Sequence, residues 1–312
     1  MTTILADTAD LSPATVTALQ RRRTRDAAAA ANAADVRSMA RDLRLALAIE
    51  PGKPGALQVH YQPRICLASG RTIGAEALLR WSHGRRGMVS PGVFIPVAER
   101  SSLISQIGGH VLEVACRAAA EWPGNAGVSV NISARQLQDG SLLNQIANAL
   151  EVSGLAPDRL ELELTESMVL DCDVDTLLIL SALRDNGVEL ALDDFGTGYA
   201  SLSMIRKLPL TVLKLDRSMI RELPHNGQDA AIVRASIQSA HALGLQVVAE
   251  GIETEAQRSF VAGLGCEQGQ GFLFSPAIPA AKLVSTFLAG ADLDIRTPVA
   301  ALPPIYHHLN AA

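Results

Sequence analysis

The sequence predicts an α/β barrel that opens with an antiparallel pair of strands, and three observations predict it. From Leu57 onward, short strand-like runs alternate with helical stretches, and eight such strands can be counted. The first two runs, 57–67 and 71–81, are separated only by Ala68-Ser69-Gly70, a turn short enough for a hairpin. The alternation extends over roughly 250 residues, the dimension of a TIM-type (βα)8 barrel. An open doubly wound sheet is the other arrangement, because strand order is not written in the sequence.

The totals agree with a globular enzyme-sized chain. Its 312 residues suffice for one large domain or two small ones. Hydrophobic residues make up 48%, charged ones 19%, and the net charge is −5, a balance that gives no reason to expect DNA or RNA as a partner. Cys66, Cys116, Cys172 and Cys266 lie far apart without a CxxC pair, which points away from zinc and disulfides and fits a reducing cytoplasm. MTTILADTAD has no basic leader before an apolar run, and no uncharged apolar stretch reaches the ~18 residues of a membrane span, so neither export nor membrane insertion is expected.

Taken in order, Ser12-Pro13 reads as the cap and first turn of a helix that runs with breaks to about Ile49, where Pro51 and Gly52 stop it. Its apolar stripe of Val36, Ala40, Leu43 and Leu47 suits either subunit pairing or packing on its own domain. Arg21, Arg22, Arg23 and Arg25 fit a solvated face. Residues 1–50 are thus an N-terminal helical segment of possible dimerisation or regulatory role, 51–290 the barrel, and 291–312, with His307-His308, a tail. After the hairpin, strands are expected from Gly127, Leu160, Val188, Val212, Leu245 and Gly269. Helices are expected over 109–121, 141–153, 174–185, 229–243 and 255–264, each with an apolar face and a glycine near its end.

Inward residues near the C-terminal ends of barrel strands build active sites. In LELELTE, Leu160, Leu162 and Leu164 share one face, so Glu161 and Glu163 point inward. In GVSVNIS, Val128 and Val130 face the helices and Asn131 faces in, and by the same phase Glu76, Asp193, Lys214 and Glu250 emerge inward. Burying so much like charge without a cation is too unfavourable for packing to explain it. Glu76, Asn131, Glu163, Asp193 and Asp194 offer oxygen ligands only, which suits Mg2+ or Mn2+ rather than zinc. With Asp193 bridging, Asp194 could hold a second ion about 4 Å from the first, the spacing of two-metal hydrolysis at phosphorus. Lys214 could orient the attacking water or neutralise charge developing on phosphorus, and Glu250 could accept the water's proton or hold the water through a metal. In-line hydrolysis of a phosphodiester is the chemistry this set fits best.

The same residues stand inside longer motifs: YQP, EALLRW, SPGVFIPVAER, VNIS, ELTES, LALDDFGTGY, LKLDRS, VAEGIET and QGFLFS, in that order from about Leu57 to Ser275. With Glu76-Ala77-Leu78 as its signature, the chain resembles the EAL-domain cyclic di-GMP phosphodiesterases. The resemblance implies a modified TIM barrel with one antiparallel strand, and opening of cyclic di-GMP to linear pGpG with Mg2+ or Mn2+ in bacterial signalling. A homodimer and an upstream regulatory protein belong to the same expectation. The resemblance also implies that Glu76, Asn131, Glu163, Asp193 and Asp194 ligate metal, that Lys214 and Glu250 handle water, and that Glu166 holds the loop after the DDFG strand. It places substrate contacts on Gln62, Leu79, Arg80, Glu253 and Gln270, with Asp216 a supporting acid near Lys214. The planar fork of Arg80 suits a phosphate oxygen. Cys66, Tyr199-Ala200 and Thr211 depart from residues common in the family, and none is a metal ligand. A nucleotide receptor or interaction module without turnover is the alternative, and the intact ligand set favours the enzyme.

Overall fold

A computed structural model describes residues 33–50, 53–170, 172–198 and 201–289. The expected helix start at Ser12-Pro13, the arginine cluster at 21–25, Tyr199-Ala200 and the tail from 291 lie outside the described residues. The strands are β1 (Leu57–Cys66), β2 (Thr72–His83), β3 (Gly87–Val89), β4 (Gly127–Asn131), β5 (Leu160–Thr165), β6 (Glu189–Phe195), β7 (Val212–Leu215), β8 (Gln246–Ala249) and β9 (Gln268–Gly269). Their order is β1-β9-β8-β7-β6-β5-β4-β2-β3, and a further pairing of β1 with β2 closes a ring of eight. Every step from β2 through β4 to β9 is parallel, whereas β1 runs antiparallel to β9. The sheet is therefore a closed barrel with one reversed strand, and the open alternative is excluded. The hairpin turn rests on Gly70, whose φ is 70° and whose N–H donates to the Cys66 carbonyl at 2.8 Å.

Burial follows the alternation. Leu160, Leu162 and Leu164 are fully buried on the helix side of β5, while Glu161 and Glu163 are buried on the barrel side. One step before Asp193, Lys214 and Glu250 on the same strand faces, Ala191, Val212 and Val248 form a buried apolar cluster.

Several elements differ from expectation, including helix Pro91–Arg100, which was not foreseen. The last strand is β9, which stops at Gly269, and 271–274 form a turn instead. Gly271 has a φ of 154°, and a Cβ there would collide with the Ile252 backbone. The flanking backbone groups bond to Ile252 rather than extending a ladder, with Ile252 N–H to the Gln270 carbonyl and Leu273 N–H to the Ile252 carbonyl, both 3.0 Å. The helix expected from Gly109 begins at Ile104 and runs to Ala120. A Cβ at Gly108 would collide with the Gln136 side chain, so that glycine serves close packing rather than a helix end. Strand β3 was not expected; it folds back on the end of β2, with Trp81 opposite Val89.

The chain divides into two compact units. In the unit that includes 80–107 and the described residues up to Gln58, helix 33–47 buries Met39, Leu43 and Ala46, whereas Val36, Ala40 and Leu47 of the expected stripe are half-buried. Asp35 pairs with Arg86 at 2.7 Å, and Asp42 lies 3.3 Å from His83 Nε2. Trp81 meets Phe94 edge-on, with ring centroids 5.7 Å apart. The other unit, 59–79 and 108 onward, holds the barrel residues described next.

Candidate active site

Lys214 on β7 is the hub. Its side chain is fully buried, and its ammonium lies 2.7 Å from Glu163 Oε1, 2.7 Å from Glu250 Oε1, 3.0 Å from Asp193 Oδ1 and 3.7 Å from Glu76 Oε2. Asn131 at the end of β4 donates Nδ2–H to Glu76 Oε1 at 2.8 Å, which leaves its amide oxygen for another partner. Gln270, just past β9, donates Nε2–H to Glu76 Oε2 at 2.7 Å and to Glu250 Oε1 at 3.0 Å.

Asp193 and Asp194 need a further device, since neighbours on a regular strand point to opposite faces. The β6–β7 ladder slips between Leu192 and Phe195, and Asp194 takes a φ of 56°. This left-handed turn, which aspartate tolerates better than most side chains, re-aims the second carboxylate. One carboxylate oxygen each from Asp193, Asp194 and Glu250 then lies within 4.8 Å of the others. The loop that follows is anchored by Glu166, whose Oε2 accepts the Gly198 N–H at 2.9 Å. A Cβ on Gly198 would stand 3.0 Å from the Glu166 carboxyl carbon, so a larger residue would crowd that anchor.

Glu76, Glu163, Asp193, Asp194 and Glu250 place five carboxylates around one ammonium, an excess of four negative charges when all are ionised. Burial, reinforced by Glu76, raises the Glu163 carboxyl well above the usual carboxylate range despite Lys214. Burial, opposed by Lys214 and reinforced by Asp193 and Glu76, pushes Glu250 up to about 8. Burial and the Asp193 charge also raise Asp194. For Glu76 burial acts upward, but Lys214 and the hydrogen bonds from Gln270 and Asn131 prevail and lower it. Burial alone would lower Lys214, yet Glu163 and Glu250 hold it well above its ordinary value. Glu163 Oε1 and Asp193 Oδ1 are buried against the Lys214 ammonium, and Glu163 Oε2 is buried with no hydrogen-bond donor. An all-oxygen set with surplus negative charge fits a hard divalent cation.

A stability prediction follows from these raised carboxyls. Glu163 and Glu250 bind protons in the folded state that the unfolded chain has released above about pH 4.5. Their contribution is complete below that pH and is lost as pH rises through about 8 for Glu250. Melts of EDTA-treated protein between pH 6 and pH 9 are expected to show a falling midpoint, and saturating Mg2+ is expected to flatten the profile. A midpoint independent of both pH and Mg2+ would contradict the charge balance described here.

The family described as the EAL domain matches residues 31–277. The chain belongs to the EAL domain family. Over 261 residues it is 44% identical to the bifunctional diguanylate cyclase/cyclic di-GMP phosphodiesterase MucR of Pseudomonas aeruginosa, covering 82% of this chain and 37% of that protein. It is 41% identical over 268 residues to the cyclic di-GMP phosphodiesterase NbdA of the same organism, covering 85% of this chain and 34% of NbdA. The chain thus spans well under half the length of these relatives. The solved cyclic di-GMP complex of the PaMucR phosphodiesterase matches with a TM-score of 0.74 and 43% identity, covering 79% of this chain and 99% of that one.

Around the EAL-domain cluster, the remaining expected residues stand as follows. Gln62 donates Nε2–H to the Ser275 carbonyl at 3.1 Å. Asp216 caps the short helix Arg217–Ile220 through the Ser218 N–H at 2.8 Å, and its charge helps raise Asp194. Glu253 is largely exposed and meets Arg217 at 3.1 Å. Leu79 is buried on the β2 face opposite Glu76, and Arg80, half-buried, belongs to the first unit. Sequence reasoning passed over Arg64 on β1, which is buried and ion-paired with Glu161 across the barrel interior. The one local signal for it is its place two residues from Gln62, on the same strand face.

Proposed function

We infer that this EAL domain is a divalent-metal-dependent phosphodiesterase that hydrolyses cyclic di-GMP to linear pGpG. The observation that carries the reading is the cluster around Lys214, where five carboxylates from four strands converge on one buried ammonium. With all five carboxylates ionised its four surplus charges would equal those of two divalent ions, and its oxygen-only donors favour Mg2+ or Mn2+. Glu76, Asn131, Glu163, Asp193 and Asp194 would hold the ions. When bound, such ions lower the pKa of an attacking water and neutralise phosphate charge.

This chain's own groups do the rest. Lys214, kept charged by its carboxylate neighbours, stabilises negative charge gathering on the phosphoryl oxygens. Glu250, oriented by Lys214 and Gln270, takes the proton of the attacking water and returns it to the leaving 3′ oxygen. The water oxygen joins phosphorus as the P–O3′ bond breaks, which leaves a 5′ phosphate and a 3′ hydroxyl. Glu166 steadies the Asp194 loop through Gly198. Gln62, Leu79, Arg80, Asp216, Glu253 and Gln270 are the proposed substrate contacts. The names of MucR and NbdA and the ligand of the PaMucR complex support cyclic di-GMP as the substrate.

Four free cysteines support a cytoplasmic setting, and no described helix is long and apolar enough to cross a membrane. Exposed Val174 and Leu178, one turn apart on helix Val174–Asp185, support assembly as a homodimer. Incubation of the purified protein with cyclic di-GMP and Mg2+, followed by chromatography, is expected to show pGpG as the product. Tight nucleotide binding without product would overturn the enzyme reading in favour of a receptor.

A further inference from the structure

Arg64 is a buried cation to which the reaction assigns no part. It lies on β1, and its Nη1 donates to Glu161 Oε1 with both side chains buried in the barrel interior. Glu161 stands two residues before Glu163 on the same face of β5, one step farther from the strand ends that carry the site. Its Cα partner on β4 is Ser129, and the Cα partner of Ser129 on β2 is Glu76. Glu161 is therefore a sixth interior carboxylate, next to the five around Lys214 and of the same oxygen chemistry. What sets it apart is its counter-ion, Arg64 instead of Lys214. Burial alone would lower the guanidinium, yet Glu161, followed by Glu163 and Glu76, holds it above its ordinary value, so its charge is felt at two of the proposed ligands. Arg64 Nε is buried without a hydrogen-bond partner, which leaves a donor for another carboxylate once Glu161 is neutral.

We propose that Arg64 is a positioning residue that withdraws Glu161 from the divalent ions and so keeps them at the strand ends, where the substrate phosphate arrives. The proposal rests on the reading of this site as a metal-dependent phosphodiesterase. Hard cations bind carboxylate oxygens wherever they are offered, and affinity rises with the charge of the ligand set. A free carboxylate one step below Glu163 would add a donor and a negative charge, hold an ion more tightly and draw it away from the attacking water. A buried arginine with its fixed fork occupies that carboxylate instead.

The test compares Arg64→Met, Glu161→Gln and the double substitution. It reads Mn2+ binding by titration and by the electron paramagnetic resonance spectrum of the bound ion, beside kcat and KM for cyclic di-GMP in Mg2+. Arg64→Met is expected to bind Mn2+ about tenfold more tightly with an altered spectrum, while kcat falls about 10–100-fold and KM changes far less. Glu161→Gln is expected to act on the metal in the opposite sense: the freed guanidinium turns to Glu163, and Mn2+ binding weakens about tenfold. The double substitution removes both charges and is expected to return Mn2+ affinity and kcat close to native values. A merely structural ion pair would lower the thermal midpoints of the single variants and leave the Mn2+ constant and spectrum of the folded protein unchanged. If Arg64→Met does not fold, Glu161→Gln and the double substitution decide. Native Mn2+ affinity in Glu161→Gln, or a double variant with kcat far below native, overturns the proposal. A native protein that binds Mn2+ but does not open cyclic di-GMP rejects instead the phosphodiesterase reading, and the Mn2+ constants still test Arg64.

Discussion

Lys214→Met is expected to abolish turnover and to make the fold dependent on divalent metal. The native ammonium, itself fully buried, lies against four carboxylates. Removing one partner of a buried ion pair destabilises by about 3–5 kcal/mol, because the remaining charges are left uncompensated. Here several carboxylates lose their shared cation at once, so the metal-free variant should melt well below the native protein. Added Mg2+ or Mn2+ should recover much of that midpoint by supplying positive charge to the same oxygens. It should not recover turnover, since a preorganised cation facing the phosphoryl oxygens is worth about 10²–10³ in rate. Melting curves with and without metal, paired with a pGpG assay, separate the two effects. A variant that keeps a tenth or more of native turnover would remove Lys214 from the reaction.

Glu76→Ala carries the second large expectation. Glu76 is the carboxylate joined to Asn131, Gln270 and Lys214 together. Its loss frees three oriented partners and takes away a proposed metal ligand, so turnover should fall by at least ~10²-fold, more than substitutions behind a ligand typically cause. Because those partners hold Glu76 charged in the folded state, the metal-free variant should also melt below the native protein at neutral pH. Cyclic di-GMP should still bind through the outer contacts. A variant hydrolysing at the native rate would show that the reaction centre lies elsewhere.

Much of this arrangement was legible because a barrel interior imposes a period of two. In β5 the run LELELT announces which residues face helices and which face the mouth, and the structure buries both sets accordingly. Helix Val174–Asp185 begins at its Asp173 cap and falls where the sequence places it. What was not legible depends on contacts distant in sequence. The re-aiming of Asp194 needs a slip against β7 and a left-handed residue, neither of which two adjacent aspartates reveal. The turn at 271–274 exists because Gly271 lies against Ile252, and the run GQGFLFS alone reads as a strand. The helix start expected at Gly109 falls at Ile104, and Gly108 makes room for the Gln136 side chain beside it. Arg64 was overlooked because its counter-ion Glu161 lies 97 positions away.

The most direct test of the central claim, that the Lys214 cluster is the metal and reaction centre, is diffraction at the manganese edge from crystals grown with cyclic di-GMP and Mn2+. The expected result is anomalous density bounded by Glu76, Asn131, Glu163, Asp193 and Asp194, with a phosphodiester of the nucleotide against it. Nucleotide bound away from these residues, or manganese found only at other sites, would contradict the account.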